Sequence, residues 1–474
     1  MSIILMSIIF VDREEELKSL EEVYSSGKSA LVIIYGRRRI GKTFLINFFA
    51  RSRDSIYLIV NYEDRELALR DLTRQFLRQV EMPYKPLVES FTDLYKLFPV
   101  SGVRIIVIDE FQRLWGTGGV TELQSIWDSE LSKRNIVLIL AGSAVGMIDR
   151  IGLSYEAPLY GRASKIIKLK ELDYRSARVF MQNFSPVDKV RCYSIFGGAP
   201  GYLALLDNKV SLMENVENLI LKTGAPLREE PFNLLAMELR EPSRYMRILE
   251  VMAEGATKLG EIADKAGVKI NEVGKYIRVL QKELDLIEKK YPLMEEGRKG
   301  KARYYIRDNF FQFWFKFIRP NIPLLELGLH KRVLNEIKEK IDKHASTTFE
   351  KIALQHMALQ AKKGKMPFTK IGKWWNSETE IDIVAVDEKN RKVYFVEVKW
   401  TNKPVDKKVL YSLISKSENF KWKKKERENI YIIYSKTGFT FKEEENVILY
   451  SLKDIEKDFD KEKPLVKQFS IQVN

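Results

Sequence analysis

The chain has 474 residues, with 80 Lys and Arg against 65 Asp and Glu and a formal net charge of +15. Its length calls for about three domains, and a hydrophobic content of 45% allows full cores. The single cysteine, Cys192, excludes an intramolecular disulfide and a multi-cysteine zinc site, and the three histidines (His330, His344, His356) are too scattered to form a metal motif.

The excess of positive charge favours an anionic partner, nucleic acid first. The apolar N-terminus, Met1 to Phe10, has no basic flank and runs into Asp12-Arg13-Glu14, so it does not read as a signal peptide. No segment has the length of a membrane span. A cytoplasmic protein with no membrane partner is expected.

Strands are predicted at Ala30–Tyr35, Ile56–Asn61, Arg104–Asp109, Ile136–Ala141 and Lys165–Leu169, with amphipathic helices such as Glu66–Val80 and Thr121–Lys133 between them. This alternation predicts an α/β domain, 1–170, whose parallel sheet is covered by helices on both faces. Residues 171–235 read as a helical lid containing the turn Gly197-Gly198-Ala199-Pro200-Gly201.

The strand Ala30–Tyr35 enters Gly36-Arg37-Arg38-Arg39-Ile40-Gly41-Lys42-Thr43, and a helix beginning near Lys42 leaves it. This is a G-x-x-x-x-G-K-[ST] loop in its required strand-loop-helix context. Its backbone N–H groups and helix N-terminus suit phosphate oxygens. The nucleotide-contacting set is Gly36, Arg37, Arg38, Arg39, Ile40, Gly41, Lys42, Thr43 and Phe44, with ATP as the expected nucleotide. Lys42 can reach the β- and γ-phosphates, and the Thr43 hydroxyl can hold Mg²⁺. The three arginines could meet phosphate, an acidic partner or solvent.

Arg104–Phe111 is an apolar strand ending in Asp109 and Glu110. Downstream of a phosphate loop, Asp109 is the expected Mg²⁺ ligand. Glu110 is placed to take a proton from an attacking water, which argues for hydrolysis.

Residues 236–320 have the pattern of a winged helix: a helix capped by Ser243 and running to Ala253, a second from Lys258 to Ala266, a third from Asn271 to Leu284, then a β-hairpin ending near Ile306. Lys269, Lys275, Arg278 and Lys282 are the candidate major-groove contacts, with Arg298, Lys299, Lys301 and Arg303 near phosphates. Packing against the other domains is the alternative role for this module. The aromatic stretch Phe310–Phe317 reads as a buried joining helix, and Arg319 to Pro323 as a boundary.

A last domain, 340–474, is predicted to hold helix Ser346–Lys362, strands Glu380–Val386 and Lys392–Trp400, a lysine-rich helix Asn419–Arg427 and strand Ile430–Ser435. Strand periodicity puts Glu380, Asp382 and Val384 on one face and Ile381, Ile383 and Ala385 on the other. Asp382 and Glu397 could then meet around one Mg²⁺ with Lys399 beside it and Glu350 nearby, the ingredients of a site that hydrolyses phosphodiesters. Whether such a site cuts is a separate question.

Together these pieces resemble archaeal-type ATPases of the AAA+/STAND-related group that carry a C-terminal domain of unknown function. The resemblance rests on Phe10-Val11-Asp12-Arg13-Glu14, Tyr35 to Thr43, Val107 to Phe111, Leu140-Ala141-Gly142-Ser143, Leu159-Tyr160-Gly161-Arg162 and Gly197 to Pro200. The C-terminal part resembles PD-(D/E)xK nucleases, a restriction-endonuclease-like fold, through Glu380-Ile381-Asp382 and Glu397-Val398-Lys399-Trp400. The resemblance implies that Ser143 senses the γ-phosphate and that Arg162 contacts nucleotide, in its own subunit or across to a neighbour in a homo-oligomer. It also implies that the Asp12 to Glu14 segment lies near the adenine. The leading expectation is an ATPase coupled to DNA binding or processing; the alternative is a STAND-like signalling ATPase whose C-terminal domains bind proteins.

Overall fold

The structure, a computed structural model, describes residues 4–82, 84, 86–153, 155, 157–298 and 300–473. Strand β1 (Ile4–Val11) leads through helix Glu14–Ser25 into β2 (Ala30–Tyr35), β3 (Ser55–Ile59), β4 (Ile105–Asp109), β5 (Val137–Gly142) and β6 (Ala163–Lys168). The last five form one parallel sheet in the order β3-β4-β5-β2-β6. β2, β4 and β5 are unbroken buried runs, as strands covered on both faces must be. Leu31 and Ile33 face the core under helices Arg65–Gln79 and Phe91–Val100, whereas Val32 and Ile34 face helix Lys42–Ala50. The predicted α/β core is therefore observed, with strand ends shifted by one or two residues.

Past the sheet, short helices from Tyr174 to Leu221 and helix Glu230–Glu238 lead to three helices, Pro242–Ala253, Leu259–Ala266 and Ile270–Arg278. The antiparallel hairpin β7 (Ile287–Lys290) and β8 (Arg303–Ile306) follows. Ser243 does not cap its helix: Pro242 occupies the first turn and no side chain caps the end. Proline suits that position because its missing N–H would have no partner there. Gly267 ends the second helix in the left-handed region, as expected. Phe310, Phe311, Phe313, Trp314, Phe315 and Phe317 are all buried.

Helix His330–Lys362 runs for 33 residues across position 340, where the last domain was expected to begin. Its apolar side, including Val333, Ile337, Phe349 and Ile352, belongs to a single core shared with the lid, the three-helix module and one face of the C-terminal sheet. That sheet contains β9 (Lys370–Trp375), β10 (Glu380–Asp387), β11 (Lys392–Lys399), β12 (Glu428–Ser435) and β13 (Val447–Ser451). Its first three strands are antiparallel neighbours, and β11, β12 and β13 run parallel. β14 (Val466–Val473) returns to pair with β1, joining the two ends of the chain. The lysine-rich segment 419–427 forms turns, and the helix lies upstream at Lys407–Ser417. Four lysines within five positions, Lys421 and Lys423 to Lys425, repel one another on a helix and resist forming one. Among the described residues, no helix is long and apolar enough to cross a membrane.

Phe349 is fully buried and its ring lies 5.0 Å from that of Trp400 on the C-terminal sheet. Phe349→Ala is expected to lower stability by about 3–5 kcal/mol, read from denaturant midpoints, since the shared core cannot close the cavity.

Candidate functional site

The phosphate loop leaves the C-terminal end of β2, at the edge of the sheet where β4 and β5 also end. Gly36 has φ 151°, and a Cβ there would lie 2.4 Å from Ile40 Cδ1 and 2.5 Å from the Leu169 carbonyl oxygen. Only glycine fits so close an approach. Lys42 is buried, and its Nζ donates to the carbonyls of Gly36 (2.8 Å) and Arg37 (2.9 Å). Burial pulls the Lys42 ammonium down to about 8, against the opposing pull of Glu110 and Asp109.

The Thr43 hydroxyl donates to Asp109 Oδ2 over 3.1 Å. This hydroxyl and carboxylate form an oxygen donor pair of the kind a hard divalent ion such as Mg²⁺ prefers. Tyr57, on β3, donates its hydroxyl to the same Oδ2 over 2.5 Å. Glu110 turns the chain out of β4 with φ 54°, and both its carboxylate oxygens accept from the Ser143 hydroxyl, at 2.8 and 3.1 Å. Gln112 Nε2 also donates to Glu110 Oε2. The predicted residues Lys42, Thr43, Asp109, Glu110 and Ser143 are thus brought together; Tyr57 and Gln112 join them without having been foreseen.

Each loop arginine meets an acid of its own chain. Arg37 is buried between Asp308 (2.6 Å) and Glu171 (3.1 Å), with the Phe311 ring 5.1 Å away. Burial opposes its charge, but Asp308 and Glu171 raise its pKa overall. Burial and the Asp308 charge push Glu171 up to about 8. Arg38 lies 3.6 Å from Glu238. Arg39 makes a bidentate pair with Glu230, at 3.0 Å for both bonds. Helix Glu230–Glu238 therefore roofs a cleft of about 290 Å³ lined by Arg38, Arg39, Lys42, Thr43, Glu110 and Glu230. Nothing in the local sequence marks these acids as partners of the loop.

Behind the loop is a narrow apolar slot lined by Phe10, Val11, Ile40, Phe44 and Pro200. Arg13 closes it by donating to the carbonyls of Ile40 (3.3 Å) and Lys170 (2.6 Å). Asp12 turns away and accepts from Ser176 of the lid.

Arg162 does not reach the loop of its own chain. It precedes β6, whose Ala163 pairs with Leu31 near the start of β2. The loop leaves the other end, about 13 Å of strand away. The Arg162 guanidinium is held by Asp128 at 2.6 and 2.8 Å. Asp128 is thus the side-chain partner of Arg162 among the described residues.

In the C-terminal domain a bulge in β10 between Ile381 and Val384 breaks the expected alternation. Ile381 and Val384 pack on one core and Ile383 and Ala385 on the other, so the face reading of the sequence fails across these four residues. The β10–β11 pairing ends at Ile383 and Val396, which sets Asp382 opposite Glu397. Asp382 accepts from the Val398 N–H (2.9 Å), and burial followed by repulsion from Glu350 and Glu397 pushes it up to about 7. Glu397 is held by Lys399 (2.6 Å) and the unforeseen Lys416 (3.0 Å). Lys373 bridges Glu380 (2.7 Å) and Glu350 (3.2 Å). Among the described residues, no three His, Cys, Asp or Glu side chains are arranged to hold a metal ion, so the expected ion between Asp382 and Glu397 finds no ready cluster: Glu350, Glu380 and Glu397 are paired with lysines, and Asp382 with a backbone N–H.

The basic residues of the three-helix module divide. Lys269, Lys275, Arg278 and Lys282 are exposed. Arg303 pairs with Glu380 (2.5 Å) and lies over the Trp375 ring (4.6 Å). Lys299 lies outside the described residues.

Residues 10–206 match a family described as an ATPase domain predominantly from Archaea, and residues 314–412 match one described as Archaea bacterial proteins of unknown function. An uncharacterized protein of Methanocaldococcus jannaschii is 34% identical over 409 residues, 85% of this chain and 90% of its own length. The chain belongs to this archaeal ATPase family. An uncharacterized ATP-binding protein of Pyrococcus abyssi is 26% identical over 226 residues, 41% of this archaeal ATPase and 68% of its own length. Among solved structures, the Walker-type ATPase PABY2304 of Pyrococcus abyssi is 22% identical with a TM-score of 0.49, covering 65% of this ATPase and 96% of that chain.

The depressed Lys42 pKa has a definite sign. Between about 8 and its unfolded value the unfolded chain holds the proton more tightly, so raising pH through that window relieves the cost of burying the ammonium. Triphosphate binding needs the charged form. Calorimetry in buffers of different ionisation enthalpy is expected to show proton uptake on ATP binding at pH 9 and little at pH 7, with affinity falling above about pH 8.

Proposed function

We propose that this ATPase is a nucleotide-driven switch that acts on DNA, with the phosphate loop controlling the three-helix module. The observation that carries the reading is the placement of the acids holding the loop arginines. Glu230 and Glu238 lie on the helix immediately before the module, and Asp308 lies two residues beyond its hairpin. Phosphates entering the cleft compete with those carboxylates for Arg38 and Arg39, so nucleotide binding loosens one flank of the module. In this reading Lys42 bridges the β- and γ-phosphates, Thr43 and Asp109 hold Mg²⁺, Ser143 reads the γ-phosphate, and Glu110 takes the proton of the attacking water. In this reading Arg162 acts on a neighbouring subunit's nucleotide in a homo-oligomer.

The module is read as a winged helix that meets DNA through Lys269, Lys275, Arg278 and Lys282, exposed along one helix and its start. DNA affinity is expected to fall steeply between low and moderate salt, and duplex DNA is expected to change the ATPase rate. The double substitution K275E/R278E should weaken binding and reduce the salt slope by about two contacts' worth. Salt-independent or absent DNA binding would favour a protein partner instead.

The C-terminal domain is read as nuclease-like, with Asp382, Glu397 and Lys399 as its site. Metal-dependent nicking of plasmid DNA is expected to disappear in Asp382→Ala and in Lys399→Ala. Intact DNA with the unaltered protein across Mg²⁺ and Mn²⁺ concentrations would leave a nuclease-like fold used for binding alone.

A further inference from the structure

Gln112 occupies an unusual position. It is buried, and the helical turn Phe111–Leu114 brings it back beneath Glu110. Its Nε2 donates to Glu110 Oε2, while its own Oε1 has no hydrogen-bond partner. Reversing the amide would set that carbonyl oxygen against a carboxylate, so the network itself dictates which end faces Glu110. The other end is wedged against Gly142: a Cβ on that glycine would lie 2.4 Å from Gln112 Oε1 and 2.8 Å from Ile148 Cδ1. Gly142 ends β5, its carbonyl accepts from the N–H of Gly36 (3.3 Å), and the hydroxyl of its successor Ser143 also donates to the Glu110 carboxylate. A buried carbonyl without a partner is unfavourable in any fold. What the residue supplies in return is a second grip on the Glu110 carboxylate.

We propose that Gln112 is the positioning residue for hydrolysis, holding the Glu110 carboxylate in place when the Ser143 hydroxyl turns to the γ-phosphate. This rests on the reading of Glu110 as the base. Glu110 accepts from both Ser143 and Gln112. Once phosphate claims the serine hydroxyl, the Gln112 amide is the side-chain donor left on that carboxylate among the described residues, and the wedge against Gly142 keeps the amide from rotating away. The carboxylate then has one oxygen anchored and the other open to water. Gln112 is buried and is not among the residues lining the cleft, so its effect falls on turnover and spares affinity.

The test uses the full chain and four variants: Gln112→Leu, Gln112→Glu, Glu110→Gln and the double Glu110→Gln with Gln112→Leu. Gln112→Leu is expected to lower kcat by about tenfold or more, with the Kd for a fluorescent ATP analogue within about twofold of the unaltered protein. The double variant should be no slower than Glu110→Gln alone, because the two residues act as one unit. Gln112→Glu keeps the shape but sets two carboxylates together. Its turnover should recover as pH falls far enough for the pair to share a proton, a dependence absent from a merely structural role. Wild-type kcat in Gln112→Leu, with Glu110→Gln inactive, would overturn the role of Gln112 alone. So would a further loss in the double variant, which would place its effect elsewhere. Normal turnover in Glu110→Gln would overturn the assignment of the base, and Gln112 with it. If Gln112→Leu does not fold, the pH profile of the near-isosteric Gln112→Glu decides: a profile parallel to the unaltered protein's rejects the proposal.

Discussion

The burial of Arg37 between Asp308 and Glu171 is the constraint on which the rest of the architecture turns. A guanidinium this deep is tolerable only with carboxylates beside it, and stripping one partner from a buried pair costs about 3–5 kcal/mol. The pairing fixes three segments at once: the phosphate loop, the start of the lid and the chain just beyond the hairpin. Arg38 and Arg39, nearer the surface, tie the same loop to helix Glu230–Glu238. The deep pair holds the loop in position, and the exposed pairs are the ones that phosphate can displace at little cost.

The same short segment serves a second site. Arg303 on β8 is bound to Glu380 of the C-terminal sheet, and Asp308, five residues later, is bound to Arg37 of the phosphate loop. Helix His330–Lys362 repeats the connection. Glu350 pairs with Lys373 beside Glu380, and the adjacent Lys351 donates to Asn309 Oδ1 (2.7 Å) and the Arg307 carbonyl (3.0 Å). Because the lid, module and C-terminal sheet also share one apolar core, these ion pairs join parts of a close-packed body. Helix His330–Lys362 crosses position 340 without a break, so the ion pairs it carries are held by a continuous helix.

Legibility differed sharply between the two sites. Gly36 to Thr43, Asp109 and Glu110 were readable, because each sits at the end of a strong apolar strand and the parallel sheet delivers those ends to one edge; Ser143, at the end of β5, was named through the resemblance. The C-terminal set was readable only in part. Asp382 and Glu397 do face one another across β10 and β11, but the bulge at Ile381 to Val384 defeats simple alternation, and Lys373 and Lys416 arrive from elements the pattern did not connect. Arg162, named through the resemblance alone, lies beside the start of β2, at the end of the strand away from the phosphate loop.

The amino-acid sequence by itself determined the α/β core, the phosphate loop and the acids of β4, since these depend on hydrophobic periodicity and on side chains contiguous along the chain. Tertiary structure alone decided what the loop arginines hold and how the domains interlock. Arg37 and Glu171 are 134 positions apart, and Arg39 and Glu230 are 191 apart. In a chain with 65 acidic residues, only the folded path selects which carboxylate meets which guanidinium.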